Sequence, residues 1–324
     1  MKNKKTKIIT SIGGQALIEG IMMRGPKTTS IDIRTPDNEI YEEKVKTESI
    51  SDRFKFLKLP FLRGIAGIYD SLKIGHKALS LSAEKAAELE EDDNQEPSKF
   101  ENFIIKTFGD NLMKVLIAVA SAIGIALAML LFLFLPSFIF NVTLGKIEGI
   151  GSTQIYRSLF EGIIKILIFI GYMLLCAKQK DIKRVFQYHG AEHKTIFCYE
   201  NCEELTVENV KKQSRFHPRC GTSFIVVMLL VGILIGMIIP FSNSALRTIC
   251  KILLIPLMAS LGYEFIRLCG KYDNKITRAI AFPGLLMQRI STKEPDDDMI
   301  EVAIKAMKSV IPENHEDQIK NDTE

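Results

Sequence analysis

Four long apolar segments decide what this chain can fold into. They are Leu112–Phe140, Leu159–Ala177, Thr222–Pro240 and Thr248–Cys269. Each has about the twenty residues that an α-helix needs to cross a hydrocarbon core about 30 Å thick. Short connections join the first segment to the second and the third to the fourth. We therefore expect two transmembrane helical hairpins, with a kink at Pro256 in the fourth helix.

The distribution of basic residues predicts how these helices are oriented. Nine lysines and arginines lie between the second and third segments, namely Lys178, Lys180, Lys183, Arg184, Lys194, Lys211, Lys212, Arg215 and Arg219. The connection between the first and second segments has only Lys146 and Arg157 at its edges. Because positive charge concentrates in the cytosolic loops of membrane proteins, we expect the central loop and both termini to be cytosolic.

The residues before the first apolar segment predict a small soluble region. Alternating apolar and polar residues in Thr29–Arg34 and Glu39–Val45 predict a β-hairpin around Pro36. Leu57–Leu89 is typical of an amphipathic helix, which either lies on the inner leaflet or packs against the membrane helices. The acidic run Glu88–Glu96 is typical of a solvated linker.

The residues after the fourth segment predict one further helix. Gly270–Glu294 is mixed in character, and Pro295 with three following aspartates then opens a helix that we expect to end near Val310. Acidic residues in the first turn interact favourably with the helix dipole, which favours a helix that begins at these aspartates. The last dozen residues are polar, and we expect them to be disordered.

Together these elements predict a mainly α membrane protein with a small cytosolic α+β part. We divide it into residues 1–50 (glycine-rich stretch and β-hairpin), 51–110 (amphipathic helix and acidic linker), 111–177 (first transmembrane hairpin), 178–221 (central cytosolic loop), 222–269 (second transmembrane hairpin) and 270–324 (C-terminal segment with a helix and a disordered tail).

Composition argues against several classes of protein. A formal net charge of +4 over 324 residues is too small to argue for nucleic-acid binding. None of the six cysteines forms a Cys-x-x-Cys pair, so neither a zinc ribbon nor a thioredoxin-like motif is supported. The basic start resembles a signal peptide, but the stretch Ile8–Met23 behind it is too polar for a signal core, and we expect no cleavage.

Three charged residues fall within the apolar segments. Glu161 and Lys165 lie one helical turn apart, and Lys251 lies at a similar depth in the fourth segment. Charges near helix ends cost less than charges at the centre, so we expect an interhelical ion pair with snorkelling side chains. A transport pathway is the alternative, although a pore would normally show more interior polarity.

The pattern His-x-x-Glu-His in the central loop carries the chemistry. On a helix, His189, Glu192 and His193 project from one largely apolar face. A carboxylate buried between two imidazoles needs a compensating cation or proton, and a metal ion meets that need. The pattern is also the inverted form of the zinc-protease motif, with Glu192 as general base. The alternative is a helix whose histidines make only hydrogen bonds.

A third metal ligand must come from elsewhere, and the stretch His217-Pro-Arg-Cys220 is the best candidate. Both His217 and Cys220 offer metal-binding atoms, in a stiff turn just before the third apolar segment. That turn and the His-x-x-Glu-His helix should lie at the same depth near the inner leaflet. The alternative for His217 is a surface histidine in a basic turn.

These residues predict metal-assisted hydrolysis. A divalent metal, with zinc the expected ion, would leave an open position for water, and Glu192 would move its proton. The substrate is then lipid-linked, peptidic or anionic, and the residues do not choose between these. Five basic residues would favour an anionic group: Lys194, Arg215, Arg219, Arg278 and Arg289.

The chain resembles the YqhQ-like family of bacterial membrane proteins (domain of unknown function 1385). The matching stretches are Gly13–Pro26, His189–Lys194, His217–Phe224 and Pro283–Ile290 with Glu294 and Pro295. The resemblance implies a bacterial inner-membrane protein. The family is often labelled a predicted metal-dependent enzyme, but this label is itself an inference and does not supply a reaction. It also implies that the first and last of these stretches close over the same cytosolic site as the histidines.

Two hypotheses of different class follow. The leading one is a metal-dependent hydrolase at the cytosolic face of the bacterial inner membrane, with membrane lipids as neighbours and no nucleic-acid partner. The alternative is a non-catalytic membrane scaffold or assembly factor with a structural metal or a histidine cluster. The sequence does not indicate an oligomeric state.

Overall fold

The computed structural model of the protein describes residues 8–87, 112–147, 153–272 and 275–318. Over these residues the chain is mostly helical, with one small four-stranded antiparallel sheet near the N-terminus. The predicted fold class is confirmed at this level. The acidic run expected as a linker, residues 88–96, lies outside the described residues.

The sheet is a simple meander of two hairpins. Its strands are β1 (Gly13–Leu17), β2 (Gly20–Arg24), β3 (Thr28–Arg34) and β4 (Ile40–Lys46), paired in that order. The predicted hairpin is β3–β4. The glycine-rich stretch before it forms the β1–β2 hairpin, which the sequence analysis missed because its turn lacks an Asn-Gly signal.

The sheet packs between helices on both of its faces. The helices are α1 (Ile50–Arg53), α2 (Leu62–Ala87), α3 (Leu112–Met129), α4 (Leu135–Thr143), α5 (Gln154–Cys176), α6 (Lys180–Glu200), α7 (Val207–Lys211), α8 (Gly221–Ile238), α9 (Ser244–Leu253), α10 (Ile255–Lys271), α11 (Lys275–Ser291) and α12 (Asp297–Val310). On one face Leu17 and Ile31 pack against Ala78 of α2. On the other, Ile21 and Met23 join the core formed with α6 and α12.

Within the described residues, three helices are long and apolar enough to cross a membrane, or four if the bent pair α9–α10 counts as one span. The stretches are Val115–Thr143, Gln154–Cys176, Gly221–Ile238, and Ser244–Leu253 with Ile255–Cys269. The bent pair changes direction by 49°. Pro256 lies in the first turn of α10, directly after the break, so the predicted kink is confirmed.

Two predicted segments differ from the structure in their boundaries. The helix expected over Leu57–Leu89 begins at Leu62, after a short 3-10 turn (Lys55–Lys58) and Phe61, whose φ is 68°. The mixed stretch Gly270–Glu294 is largely the regular helix α11, although Pro283 lies inside it. Gly284, next to this proline, is buried against Ser223 of α8, and that close packing holds the helix together.

The expectation of a disordered tail is wrong for residues 313–318. Asp317 is fully buried, and it accepts hydrogen bonds from Thr10 Oγ1 at 2.6 Å and Tyr199 Oη at 2.9 Å. Gln318 forms a β-bridge with Thr10. Polar composition predicted solvation, but these two hydrogen bonds, both to Asp317 Oδ2, hold the tail against Thr10 and Tyr199.

The charges within the candidate spans form one buried group, which we call the membrane charge cluster (Arg157, Glu161, Arg247 and Lys251). Glu161 accepts hydrogen bonds from Ser137 Oγ at 3.0 Å and Arg157 Nε at 2.9 Å, and it is paired with Lys251. The predicted interhelical ion pair is therefore confirmed for Glu161 and Lys251. Lys165 makes no ion pair with any residue that the structure describes.

Candidate metal centre

One face of α6 carries the His-x-x-Glu-His residues, as the spacing predicts. Glu192 and His193 are only 5% and 1% exposed, and His189 is partly buried. The rings of His189 and His193 meet edge to face with their centroids 4.4 Å apart. Gly14 of β1 contacts Glu192, and the backbone at Ser291 and Arg215 contacts the two histidines, so neighbouring segments largely cover these polar groups.

Cys220 completes a group of three potential ligands, which we call the histidine centre (His189, His193 and Cys220). Its Sγ lies 3.1 Å from His189 Nε2, and the three ligand atoms all lie within 4.8 Å of one another. Tetrahedral zinc holds nitrogen and sulfur ligands about 3.5 Å apart. The three atoms are thus grouped on the scale of a zinc site, and the donor set of two nitrogens and one sulfur fits zinc.

Backbone carbonyls fix the tautomers of both imidazoles. His189 Nδ1 donates to Ser291 O at 2.8 Å, and His193 Nδ1 donates to Arg215 O at 2.6 Å. Because a carbonyl oxygen only accepts, each Nδ1 carries a proton and each Nε2 lone pair is left for the centre. This outer-shell arrangement is typical of metal-binding histidines.

His189 and Cys220 shift the pKa values of each other. Burial disfavours both charged forms, but the neighbouring thiolate outweighs it and raises the pKa of His189 to about 9. Burial likewise opposes ionisation of Cys220, yet the two histidines hold its pKa well below 9.0. Positive charge at the histidines therefore favours the Cys220 thiolate, and a bound metal cation would supply a stronger positive charge.

Glu192 lies beside the centre with few partners. Its carboxylate accepts one hydrogen bond, from Gly14 N at 3.1 Å, and makes no ion pair with described residues. Burial raises the pKa of Glu192, with both histidines opposing. A Cβ on Gly14 would lie 2.8 Å from Met22 O and 2.9 Å from Glu192 Cδ, so only glycine lets β1 come this close.

His217 lies next to the histidine centre but its ring is engaged elsewhere. Its centroid is 5.6 Å from that of His193, while its Nε2 lies 3.6 Å from Glu200 Oε2. Burial, with Arg219 and His193 adding to it, lowers the pKa of His217 to about 4 despite Glu200. His217 thus stays a predicted ligand, with Glu200 as its partner in the structure.

Gln288 holds the turn that carries His217 and Cys220. It is fully buried, accepts from His217 N at 2.7 Å, and donates to His217 O at 2.7 Å and Ser223 Oγ at 3.0 Å. Neither Gln288 nor Gly14 was predicted from the sequence as a residue of the site. Both lie in the two stretches expected to close over the site, and both contact the residues of that site.

A cleft of about 1040 Å³ reaches the histidine centre. Strands β1 and β2, helices α2 and α10, and the turn before α8 form its walls. Of the five basic residues expected to attract an anion, Arg219 lines the cleft, but it is paired with Glu200. Lys194 and Arg215 both bind Glu294 instead, at 2.8 and 3.1 Å, while Arg278 and Arg289 do not line the cleft.

The fold and the site define a helical protein with membrane-type helices and a buried His–His–Cys group beside a glutamate. Residues 59–313 match the model of the family described as "Protein of unknown function (DUF1385)", and the chain belongs to that family. It is also similar to "Uncharacterized protein YqhQ" of Bacillus subtilis (strain 168), with 34% identity over 309 residues, covering 95% of this chain and 94% of that protein. No solved structure matches the chain significantly.

Proposed function

We propose that the protein is a multi-pass protein of the bacterial inner membrane and a zinc-dependent hydrolase at its cytosolic face. The observation that carries this proposal is the convergence of three ligand atoms, two of them on histidines with fixed tautomers, beside a buried glutamate. A zinc site with three protein ligands and an adjacent carboxylate is the usual apparatus of metal-assisted hydrolysis.

Charge bias supports the cytosolic placement. The nine lysines and arginines of the central loop lie between the second and third candidate spans. Helix α6 follows the second span, and Cys220 precedes the third directly. The histidine centre is therefore on the side of the membrane that the positive-inside rule assigns to the cytosol.

Each residue of the site has a distinct role in the proposed reaction. Zinc would act as a Lewis acid at water in the fourth position and lower its pKa. As the carboxylate, Glu192 would accept a proton from water and return it to the leaving group, since burial raises its pKa and makes it a stronger base. Ser291 O and Arg215 O hold the imidazoles in place, and Gly14 N–H fixes the direction of the Glu192 carboxyl group.

Elemental analysis of detergent-purified protein tests the proposal. We expect about one zinc per folded chain in wild type. Cys220→Ser should lose most of that zinc, whereas Cys202→Ser, at an exposed cysteine outside the centre, should keep it. His217→Ala should also keep it, because its ring faces Glu200. Folded wild type that remains free of metal after refilling with zinc would overturn the proposal.

A second candidate function rests on the close contact between His189 and Cys220. The 3.1 Å separation of Nε2 and Sγ, with Nδ1 anchored on Ser291 O, is also the geometry of a cysteine nucleophile with its histidine base. In that case Cys220 should react rapidly with iodoacetamide in protein as purified. Bound zinc would instead protect Cys220 until a chelator removes the metal.

The scaffold alternative makes a different prediction for Glu192. If the centre only shapes the fold, Glu192→Gln should have no effect in cells, while His189→Ala should destabilise the protein. In a hydrolase, Glu192→Gln should abolish function in cells with the protein still folded and zinc-bound.

A further inference from the structure

The segment before α2 exposes a band of large apolar side chains. Phe54, Phe56, Leu59 and Phe61 are 43%, 59%, 57% and 49% exposed. Basic residues are interleaved with them at Arg53, Lys55 and Lys58. An exposed apolar band with basic residues between its members is typical of a segment that lies in the interface of a negatively charged leaflet.

Contacts with α10 set the depth of this segment. Ser260 Oγ donates to Phe61 O, and Arg63 binds Glu264 with two hydrogen bonds of 2.6 Å. Ser260 lies nine residues before Cys269, where the bent candidate span ends. That distance is about 13 Å along a helix. The start of α2 is therefore held at the level of the membrane, not above it.

The cleft that reaches the histidine centre begins at this membrane-level wall. Lys58 and Arg63 line it on the side of the apolar band, and Tyr263 and Ile266 line it on α10. The opposite end is formed by the residues of the histidine centre. A molecule in the cleft can thus contact the leaflet at one end and the centre at the other.

Two arginines on the cleft wall lack tight carboxylate partners. Arg24 has only long contacts, 3.5 Å to Ser71 Oγ and 3.8 Å to Asp70 Oδ2, because Asp70 is already engaged by Ser49 and the backbone of Ile50. Arg267 is exposed and makes no hydrogen bond with described residues. Arg63 and Arg219, in contrast, each bind a glutamate closely.

We propose that the cleft takes its substrate from the inner leaflet, and that this substrate is a phosphate-bearing amphiphile. Arg24 and Arg267 bind the phosphate oxygens, since guanidinium groups match their geometry. The hydrocarbon chain lies along Ile266 and the apolar band at Phe54–Phe61, and remains partly in the leaflet. The inference rests on the proposed function, because it names the substrate class of the same cleft.

Binding of three probes to full-length protein in detergent micelles tests this inference. The probes are 1-oleoyl lysophosphatidic acid, 1-oleoyl glycerol without the phosphate, and glycerol 3-phosphate without the chain. We expect the first to bind at least about tenfold more tightly than either of the others, since only it offers both a phosphate for the arginines and a chain for the apolar wall. Equal binding of glycerol 3-phosphate would overturn the membrane source.

Variants of the arginines and of Ile266 separate the contributions of the phosphate and of the hydrocarbon chain. Arg24→Gln with Arg267→Gln should weaken lysophosphatidic acid about tenfold and leave oleoyl glycerol unchanged. Arg289→Gln, at an exposed arginine outside the cleft, is the matched control. Ile266→Ser should weaken both oleoyl probes, whereas Leu268→Ser, on the same helix but outside the cleft, should not. Unchanged binding in both test variants, with wild-type melting, would refute the inference.

The zinc content of the same samples keeps the two proposals apart. If the probe preference persists in protein that never binds zinc, the proposed hydrolase fails while the leaflet-derived ligand stands. If zinc is bound but the preference is absent, the inference fails and the hydrolase proposal is untouched. Binding of the charged probe at the same strength in every variant means nonspecific partition into the micelle, and it refutes the inference.

Discussion

The histidine centre and the membrane charge cluster are both buried groups of polar side chains, yet their hydrogen bonding differs. In the membrane charge cluster, Glu161 has three donors, and Arg247 donates to Gly236 O at 2.6 Å and Ser158 Oγ at 2.5 Å. Beside the histidine centre, Glu192 has one donor. Within the centre, the potential ligand atoms of His189, His193 and Cys220 lie within 4.8 Å of one another.

The histidine centre is also more accessible to solvent than the membrane charge cluster. The residues of the histidine centre line a cleft, whereas none of the four residues of the membrane charge cluster is among its lining residues. A closed polar group whose carboxylate has three donors holds helices together, whereas an accessible carboxylate with one donor is available to a ligand. This difference supports a structural role for the membrane charge cluster and is consistent with the chemical role that we propose for the histidine centre.

The largest expected effect is at Glu161, where a neutral substitution breaks a saturated group. Glu161→Gln leaves the charges of Arg157 and Lys251 buried without an anion, which typically costs about 3–5 kcal/mol. Unfolding in detergent micelles measures the loss. Lys165→Met is the matched control on the same helix, because Lys165 has no ion pair among described residues, and it should melt close to wild type. Equal melting of both variants would contradict the structural assignment.

Asp32 provides a test of whether a buried carboxyl group with an unpaired oxygen has a functional role when it lies outside the cleft. It is fully buried in β3, Ser30 Oγ donates to it at 2.5 Å, and Oδ1 has no partner among described residues. Burial raises its pKa from 3.8 to about 6. No cleft reaching the histidine centre includes Asp32, so we expect an effect on stability alone.

The sign of the Asp32 effect follows from the raised pKa. The folded state holds the proton more tightly than the unfolded state, so stability is highest below the unfolded pKa and falls as pH rises towards about 6. Over that range wild type should lose about 3 kcal/mol relative to Asp32→Asn. Denaturant titrations between pH 4 and pH 7 measure the difference, and parallel curves for the two proteins would show that the prediction is wrong.

Gly14 and Gly13 test how closely β1 must approach the histidine centre. Gly14→Ala places a methyl group against Glu192 and Met22 O, and such overpacking typically costs about 1–3 kcal/mol. Gly13→Ala meets nothing within 4 Å and should be neutral. Thermal melting reports the cost, and zinc content reports whether the centre survives. Equal behaviour of the two variants would mean that β1 does not support Glu192.

The smallest stability effect is expected at Glu192, which completes the comparison with Glu161. Glu192→Gln removes a buried carboxyl group that has a single backbone donor, so the free energy of unfolding should change by less than about 1 kcal/mol. The same chemical change therefore has a large effect in one group and a small one in the other. A loss as large as that of Glu161→Gln would remove the distinction between them.

Sequence reasoning was sufficient where a local pattern carries the information. The apolar lengths identified the candidate spans, Pro256 identified the bend, and the i, i+4 spacing placed His189 and His193 on one face. The alternation in Thr29–Arg34 and Glu39–Val45 identified the β3–β4 hairpin. Each of these features depends on residues within about one element of each other.

Sequence reasoning failed where contacts between distant residues decide the structure. Helix α11 contains Pro283, a local helix breaker, and only packing of Gly284 against Ser223 explains its regularity. Gly14 contacts Glu192 across 178 positions, and Gln288 contacts His217 across 71. No sequence periodicity predicts contacts between such distant residues. The roles of Gly14 and Gln288 are therefore visible only in the folded structure.

The contact between Thr10 and Asp317 constrains the order in which the molecule can be assembled. These residues are 307 positions apart, and all the candidate spans lie between them. Thr10 also binds Glu200 and Arg219, the neighbours of His217. During synthesis this side of the site stays open until every span has been made and Asp317 has left the ribosome. Ligand loading before that point therefore meets a site with one side unfinished.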